Sequence, residues 1–297
     1  MIDPRLSVAG LLIGVLVGMT GMGGGALLTP LLIFLFGFKP TLAVGTDILH
    51  GAVFKTFGAV RNRRLGSVHA RMTLWMLAGS APMSLVGVQV AETIARRYGD
   101  GLESLTAQIV GAALVLGGLG FLTKTFIKRG VQPNDAPFRM GARHRVIALA
   151  LGVGGGFIVG LTSVGSGTFF GLVMLIAFPL TAVKIVGTDV FHAAALLWVA
   201  GLSHLFNGNV DVAAMGSLLV GSIPGVLMGS QLTTRVPDRA LRVGLGSTLL
   251  LSGLKLLDVP GANVLVVAGL ATGLLVGLGF LIRVLVRASV LAPRREL

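Results

Sequence analysis

Gly18-Met19-Thr20-Gly21-Met22-Gly23-Gly24-Gly25 and Gly160-Leu161-Thr162-Ser163-Val164-Gly165-Ser166-Gly167 are one stretch written twice, with residue numbers that differ by 142. The same offset relates Val44-Gly45-Thr46-Asp47 and His50 to Val186-Gly187-Thr188-Asp189 and His192. It still holds at Ser80 and Ser222, Pro82 and Pro224, Gly87 and Gly229, and Gln89 and Gln231. Residues 14–97 thus align with 156–239 without a gap. A duplicated hydrophobic unit broken by glycine at the same place in both halves is the sequence pattern of secondary transporters, whose substrate site lies where the breaks meet.

Composition sets the solvent in which this repeat folds. The chain is 54% hydrophobic and 12% charged, with a mean hydropathy of +0.91, and its apolar stretches reach the roughly 20 residues that cross a bilayer. These features predict an all-α polytopic membrane protein. A formal charge of +13 would suggest nucleic acid in a soluble chain, but here Lys and Arg sit in short loops, where they report orientation. No nucleic-acid partner is expected. The absence of cysteine excludes disulfides and thiolate metal sites. Leu6 to Met19 has the look of a signal peptide, yet its counterpart recurs at 148–161 in mid-chain, so it reads as structure.

Apolar runs fall at about 6–36, 41–60, 69–91, 103–123, 146–178, 182–203, 212–233, 239–257 and 261–285. The first and fifth are too long for one helix and are broken at Gly21–Gly25 and Ser163–Gly167. Cytoplasmic loops carry the excess of Lys and Arg. The basic stretches are 61–64 with Arg71, the linker 124–145, and the tail containing Arg283, Arg287, Arg294 and Arg295. All three share one side only if the two broken runs are re-entrant hairpins that enter and leave on the same face. Seven crossings then remain, with the N-terminus outside and the C-terminus inside. The loop after Arg61 aligns with residues 203–211, which contain no Lys or Arg, as expected if the two copies are inserted upside down. Arg96 and Arg97, which this places outside, run against the rule. The expected organisation is a first repeat at 1–123, a cytoplasmic linker at 124–145, a second repeat at 146–257, and one extra C-terminal transmembrane helix with a basic tail at 258–297. Each repeat is a glycine-broken re-entrant hairpin plus three transmembrane helices.

Two constellations could carry chemistry. At Gly23, Gly24 and Gly25, and at Ser166 and Gly167, the second leg of each hairpin starts with free backbone N–H groups and the positive end of its dipole at membrane depth, which suits an anion. Thr20, Thr162, Ser163 and Thr168 add hydroxyl donors; the bland alternative is close helix packing through glycine. The second constellation is Thr46, Asp47 and His50 with Thr188, Asp189 and His192. Residues three and four apart share a helix face, and intramembrane Asp and His mark ion or proton pathways. Asp47, His50, Asp189 and His192 are therefore candidates for proton coupling, against a purely structural hydrogen-bonded pair. Lys55, aligned with Leu197, either contacts an anion and holds Asp47 ionised or snorkels to the cytoplasmic face. His204 and Asn207 read as solvated residues of the outer loop, and Trp75 and Trp198 as interfacial anchors or packing residues. No Walker loop, Rossmann glycine pattern or catalytic triad is present, so neither an enzyme nor a cofactor or resident metal is expected.

The repeats resemble the TauE/SafE family of sulfite and organosulfonate exporters, also called TSUP. The resemblance rests on Gly-x-x-Gly-Gly-Gly-x-x-x-x-Pro at 21–30, Ala-Val-Gly-Thr at 43–46, Arg-Leu-Gly-Ser-Val at 64–68, Val-Gly-Thr at 186–188, Gly-Asn-Val-Asp at 208–211 and Gly-Ser-Ile-Pro-Gly at 221–225. The family's commoner Gly-Thr-Ser is Gly-Thr-Asp here in both copies. The resemblance implies export of sulfite, thiosulfate or a sulfonate across a bacterial inner membrane. Composition and spacing by themselves give an anion-selective secondary transporter. They leave open a passive channel or cation permease using the Asp and His residues, a non-transporting scaffold, and a homodimer.

Overall fold

The computed structural model describes residues 2–20, 25–98, 103–126, 138, 140–164, 169–232, 238–262 and 264. Among these residues there is no strand, and ten helices make the fold: α1 (Pro4–Thr20), α2 (Gly25–Phe36), α3 (Pro40–Arg64), α4 (Ala70–Tyr98), α5 (Glu103–Phe126), α6 (Ala142–Thr162), α7 (Phe169–Ala177), α8 (Ala182–Phe206), α9 (Val212–Leu232) and α10 (Asp238–Leu256). The two long apolar runs each divide at their glycine or serine cluster, into α1 and α2 and into α6 and α7. The other runs up to residue 257 each become one helix, while the run at 261–285 lies almost wholly outside the described residues. Most of the linker does as well, but its two ends are helical. Gly141 is extended (φ −78°, ψ 176°) and starts α6 at Ala142, because no breaker separates Ala142 from the apolar run.

Helices Ala70–Ile94, Ala142–Thr162 and Val183–Phe206 are long and apolar enough to cross a membrane, and shorter apolar helices lie at Pro4–Val17, Leu27–Phe36, Ala107–Gly120 and Val212–Met228. Helix α3 has the length to span but carries Asp47, Lys55 and three arginines. Its start is set by Pro40, whose missing N–H costs nothing in a first turn. Its end is set by Gly66, whose φ of +65° lets the chain leave in the left-handed region, as Gly208 does at φ +77° after α8. The Gly66 N–H reaches the Arg63 carbonyl and the Gly208 N–H the Leu205 carbonyl, both at 3.1 Å, so matched residues end matched helices in the same way.

The most extensive helix pairings join one copy of the repeat to the other: α1 with α9, α4 with α6, α3 with α8 and α5 with α10. Glycine sets how close they come. A Cβ on Gly10 or Gly14 would strike the backbone of Leu218 or Ser222, and one on Gly152 or Gly156 that of Met76 or Ser80, which are the same contacts moved by 142. Contact order along these pairs shows that α1 and α9 run parallel, as do α6 and α4, whereas α3 and α8 run antiparallel: Gly45 meets His204, Gly51 meets Leu197 and Gly58 meets Val190. The larger buried cluster, including Met72, Met76, Phe170, Met174, Leu196 and Leu197, draws on both copies.

Candidate functional site

Asp47 is 1% exposed, in the first half of α3. Its Oδ2 accepts hydrogen bonds from Thr29 Oγ1 on α2 and from Ser163 Oγ at 2.9 Å. Ser163 is the residue that ends α6, in the left-handed conformation (φ 63°, ψ −13°). Oδ1 is buried and makes no hydrogen bond among the described residues. The carboxylate is therefore half satisfied, with one oxygen left for a proton or a ligand. Thr162, its hydroxyl turned to the Ile158 carbonyl at 2.7 Å, also accepts from the Val164 N–H at 3.2 Å, so it shapes the end of α6 next to Asp47.

Both histidines bind a serine of the opposite copy. His50 Nε2 is 2.9 Å from Ser222 Oγ, and His192 Nε2 is 2.9 Å from Ser80 Oγ. The threonines exchange partners too: Thr46 Oγ1 accepts from the Asp211 N–H at 3.0 Å and Thr188 Oγ1 from the His69 N–H at 2.9 Å. Trp198 donates its ring N–H to Thr56 at 2.9 Å, a contact between two positions that are themselves equivalent. Phe54 stacks on His50 (5.8 Å) and Phe170 tilts against His192 (4.5 Å), each supplying an apolar wall.

Register along the antiparallel α3 and α8 pair separates the two carboxylates. Gly58 faces Val190, so Asp189 lies level with the last quarter of α3 and about 18 Å from Asp47 along the axis, at 1.5 Å per residue. Lys55 is buried on α3 at a level between the two. Its side chain stays inside the bundle and is not exposed at the end of α3. A charge held inside an apolar bundle is retained only where other charges or polar groups compensate it, and here one cation sits between two acids. Among the described residues no three His, Asp or Glu side chains form a group able to hold a metal.

The family described as Sulfite exporter TauE/SafE matches residues 6–256. The chain belongs to the TauE/SafE family. It is 38% identical to the probable membrane transporter protein YjnA of Bacillus subtilis over 84% of this chain and 97% of that protein. It is 28% identical to the probable membrane transporter protein YdhB of the same organism over 83% and 96%. A probable membrane transporter protein of Xylella fastidiosa is 22% identical over 76% and 83%. No solved structure matches. The TauE/SafE chain is thus a multi-pass membrane protein of a transporter family and not an enzyme.

Of the residues singled out from sequence, Thr46, Asp47, His50, Lys55, Thr162, Ser163, Thr188, Asp189 and His192 are all buried. Thr20 and Gly25 end α1 and begin α2, whereas Gly23, Gly24, Ser166, Gly167 and Thr168 lie outside the described residues. Three partners escaped the sequence reading. Ser80 and Ser222 had a signal, since both copies keep them. Thr29 had none: its matched position is Gly171. His204 is corrected: it is not a solvated loop residue but fully buried, with Nε2 3.0 Å from the Gly160 carbonyl. The last turn of α6 has carbonyls without helical partners, and the ring reaches one of them.

Proposed function

We propose that this TauE/SafE chain is a secondary transporter that exports a small sulfur-containing oxyanion by alternating access, with its two copies inserted upside down in a bacterial inner membrane. The observation that carries this reading is the exchange of buried polar partners between equivalent positions, His50 with Ser222 and His192 with Ser80. Two copies that complete each other's site across a pseudo-two-fold axis can rock against each other while the site keeps its parts.

Helix directions support the hairpins. The short turns at 65–69 and 207–211 reverse the chain, so α9 runs with α3 if α8 runs against it. Helix α1 is parallel to α9 and hence to α3, which leaves α2 as the return leg. The same steps through α4, α6 and α8 make α7 the return leg of the second copy. Antiparallel α3 and α8 are equivalent helices, which supports the opposed insertion, and the arginines that end α3 put that end inside.

In this reading the N–H groups and hydroxyls at the two hairpin tips take the oxyanion, with Lys55 as a charge partner, while Asp47 and Asp189 carry protons. Export of an anion in exchange for protons then moves substrate out at the expense of the proton gradient. Counterflow in proteoliposomes tests it: unlabelled sulfite outside should accelerate efflux of labelled sulfite, thiosulfate or taurine from inside. Efflux that ignores the outside pool would replace the carrier with a channel, and trans-stimulation by divalent cations alone would replace the anion with a cation.

A further inference from the structure

One buried polar cluster joins the two halves and has no counterpart at the matched positions. His204 on α8 is 0% exposed and Glu92 on α4 is 8% exposed. Asn209 joins them, its side-chain amide donating to Glu92 Oε2 and its backbone N–H to the His204 carbonyl at 2.9 Å. The matched positions are Asn62, Thr234 and Ser67, none of them acidic or basic. Asn62 spends its amide on its own helix, at the Gly58 carbonyl 2.9 Å away. The repeat's packing therefore does not itself demand a His and a Glu at these positions.

The tautomer of His204 follows from its partner. A carbonyl only accepts, so the nitrogen facing Gly160, Nε2, carries the hydrogen. Nδ1 is then a bare lone pair, and it is buried without a hydrogen bond. A proton placed there leaves the bond to Gly160 intact and gains the Glu92 carboxylate as counter-charge. The cluster also adjoins Asp47 from two sides. Gly160 lies three residues before Ser163, whose hydroxyl holds Asp47. Gly45 lies two residues before Asp47, and a Cβ there would stand 3.1 Å from His204 Cβ.

We infer that Glu92 and His204 form a proton-binding site on the side of the 207–211 turn, from which Asp47 is loaded. The step is a transfer of one proton from bulk water to His204 Nδ1 and from there to the Asp47 carboxylate, with no bond made or broken elsewhere. Among the described residues, the buried charged groups on the helices packed against α8 are Glu92 on α4 and, on α3, Asp47 and Lys55. Helix α6 presents the Gly160 carbonyl and Ser163, and the turn presents Asn209 and Asp211, the latter bonded to the Ala214 N–H at 2.9 Å. The inference rests on the proton-coupled transport reading, so its test has one arm that needs no substrate.

The full chain is reconstituted as parent, Glu92→Gln and His204→Gln. Glutamine places an amide N–H where Nε2 stood, so it keeps the donor to Gly160 but cannot take the proton, which separates proton binding from simple capping of α6. Infrared difference spectra on acidification should show a histidine signal in the parent that is lost in His204→Gln and altered in Glu92→Gln. In sulfite-loaded vesicles both variants should keep parental sulfite counterflow at equal pH and lose the acceleration by an acid bath on the turn side. Parental infrared differences and parental acceleration in both variants would overturn the inference and leave His204 as a cap. If the parent carries no sulfite, the transport reading falls, and the infrared arm alone decides the proton site.

Discussion

Ser163 sits in the left-handed region at φ 63° and its hydroxyl holds Asp47 at 2.9 Å, so two opposed terms meet in one residue. A non-glycine residue held there costs about 1 kcal/mol, while a hydrogen bond to a buried charged acceptor returns about 1.5–3 kcal/mol. Ser163→Gly loses the bond but recovers the strain, for a net loss of about 0.5–2 kcal/mol. Ser163→Ala loses the bond and keeps the strain, for about 1.5–3 kcal/mol. The expected order of stability is Ser, then Gly, then Ala, with about 1 kcal/mol between the last two. Equilibrium unfolding in mixed micelles, followed by helical circular dichroism, reads these differences. Repeating the series on an Asp47→Asn background should shrink the gap between Ser and Ala, because the charged acceptor is gone, and leave the gap between Gly and Ala, which is backbone strain alone. A Ser163→Gly protein at least as stable as the parent would refute the hydroxyl's role. Equal stability of the Gly and Ala variants would refute the strain.

Ser80→Ala and Ser222→Ala should each cost about 1 kcal/mol by the same assay, since each unpairs one imidazole; a clear inequality would show that the two halves are not held alike. With no native cysteine to remove, Leu65→Cys and Phe206→Cys, at the exposed ends of matched helices, should react with an impermeant thiol reagent from the cytoplasm and from outside respectively, and labelling from one side would defeat the upside-down insertion. Asp47→Asn and Asp189→Asn should retain sulfite counterflow but stop responding to an imposed pH gradient in proteoliposomes. Full gradient-driven transport in both would make the carboxylates structural.

The helices and their doubled arrangement were legible because a membrane forces long apolar runs, and because the second copy repeats Gly45, Thr46, Asp47 and His50 at a constant offset. What an offset cannot say is which copy touches which. That His50 binds Ser222 rather than Ser80 is decided by helix packing through Gly14 and Gly225, a long-range matter. Thr29 was invisible because it contributes to only one half. His204 was misjudged because its neighbours Ser203, Asn207, Gly208 and Asn209 read as a wet loop, whereas burial there is set by the end of α6, far away in sequence.

The cross-pairing of the copies has a consequence for biosynthesis. Asp47 leaves the ribosome with Thr29 already made but 116 residues ahead of the serine that gives it its second hydrogen bond, and α1 is complete long before α9 exists to cover its glycines. A nascent first copy must therefore wait, its polar face shielded by the insertion machinery or by lipid headgroups, until translation delivers the second. A chain stopped between the copies would leave His50 without Ser222 and the glycines of α1 without α9, so neither half completes its packing without the other.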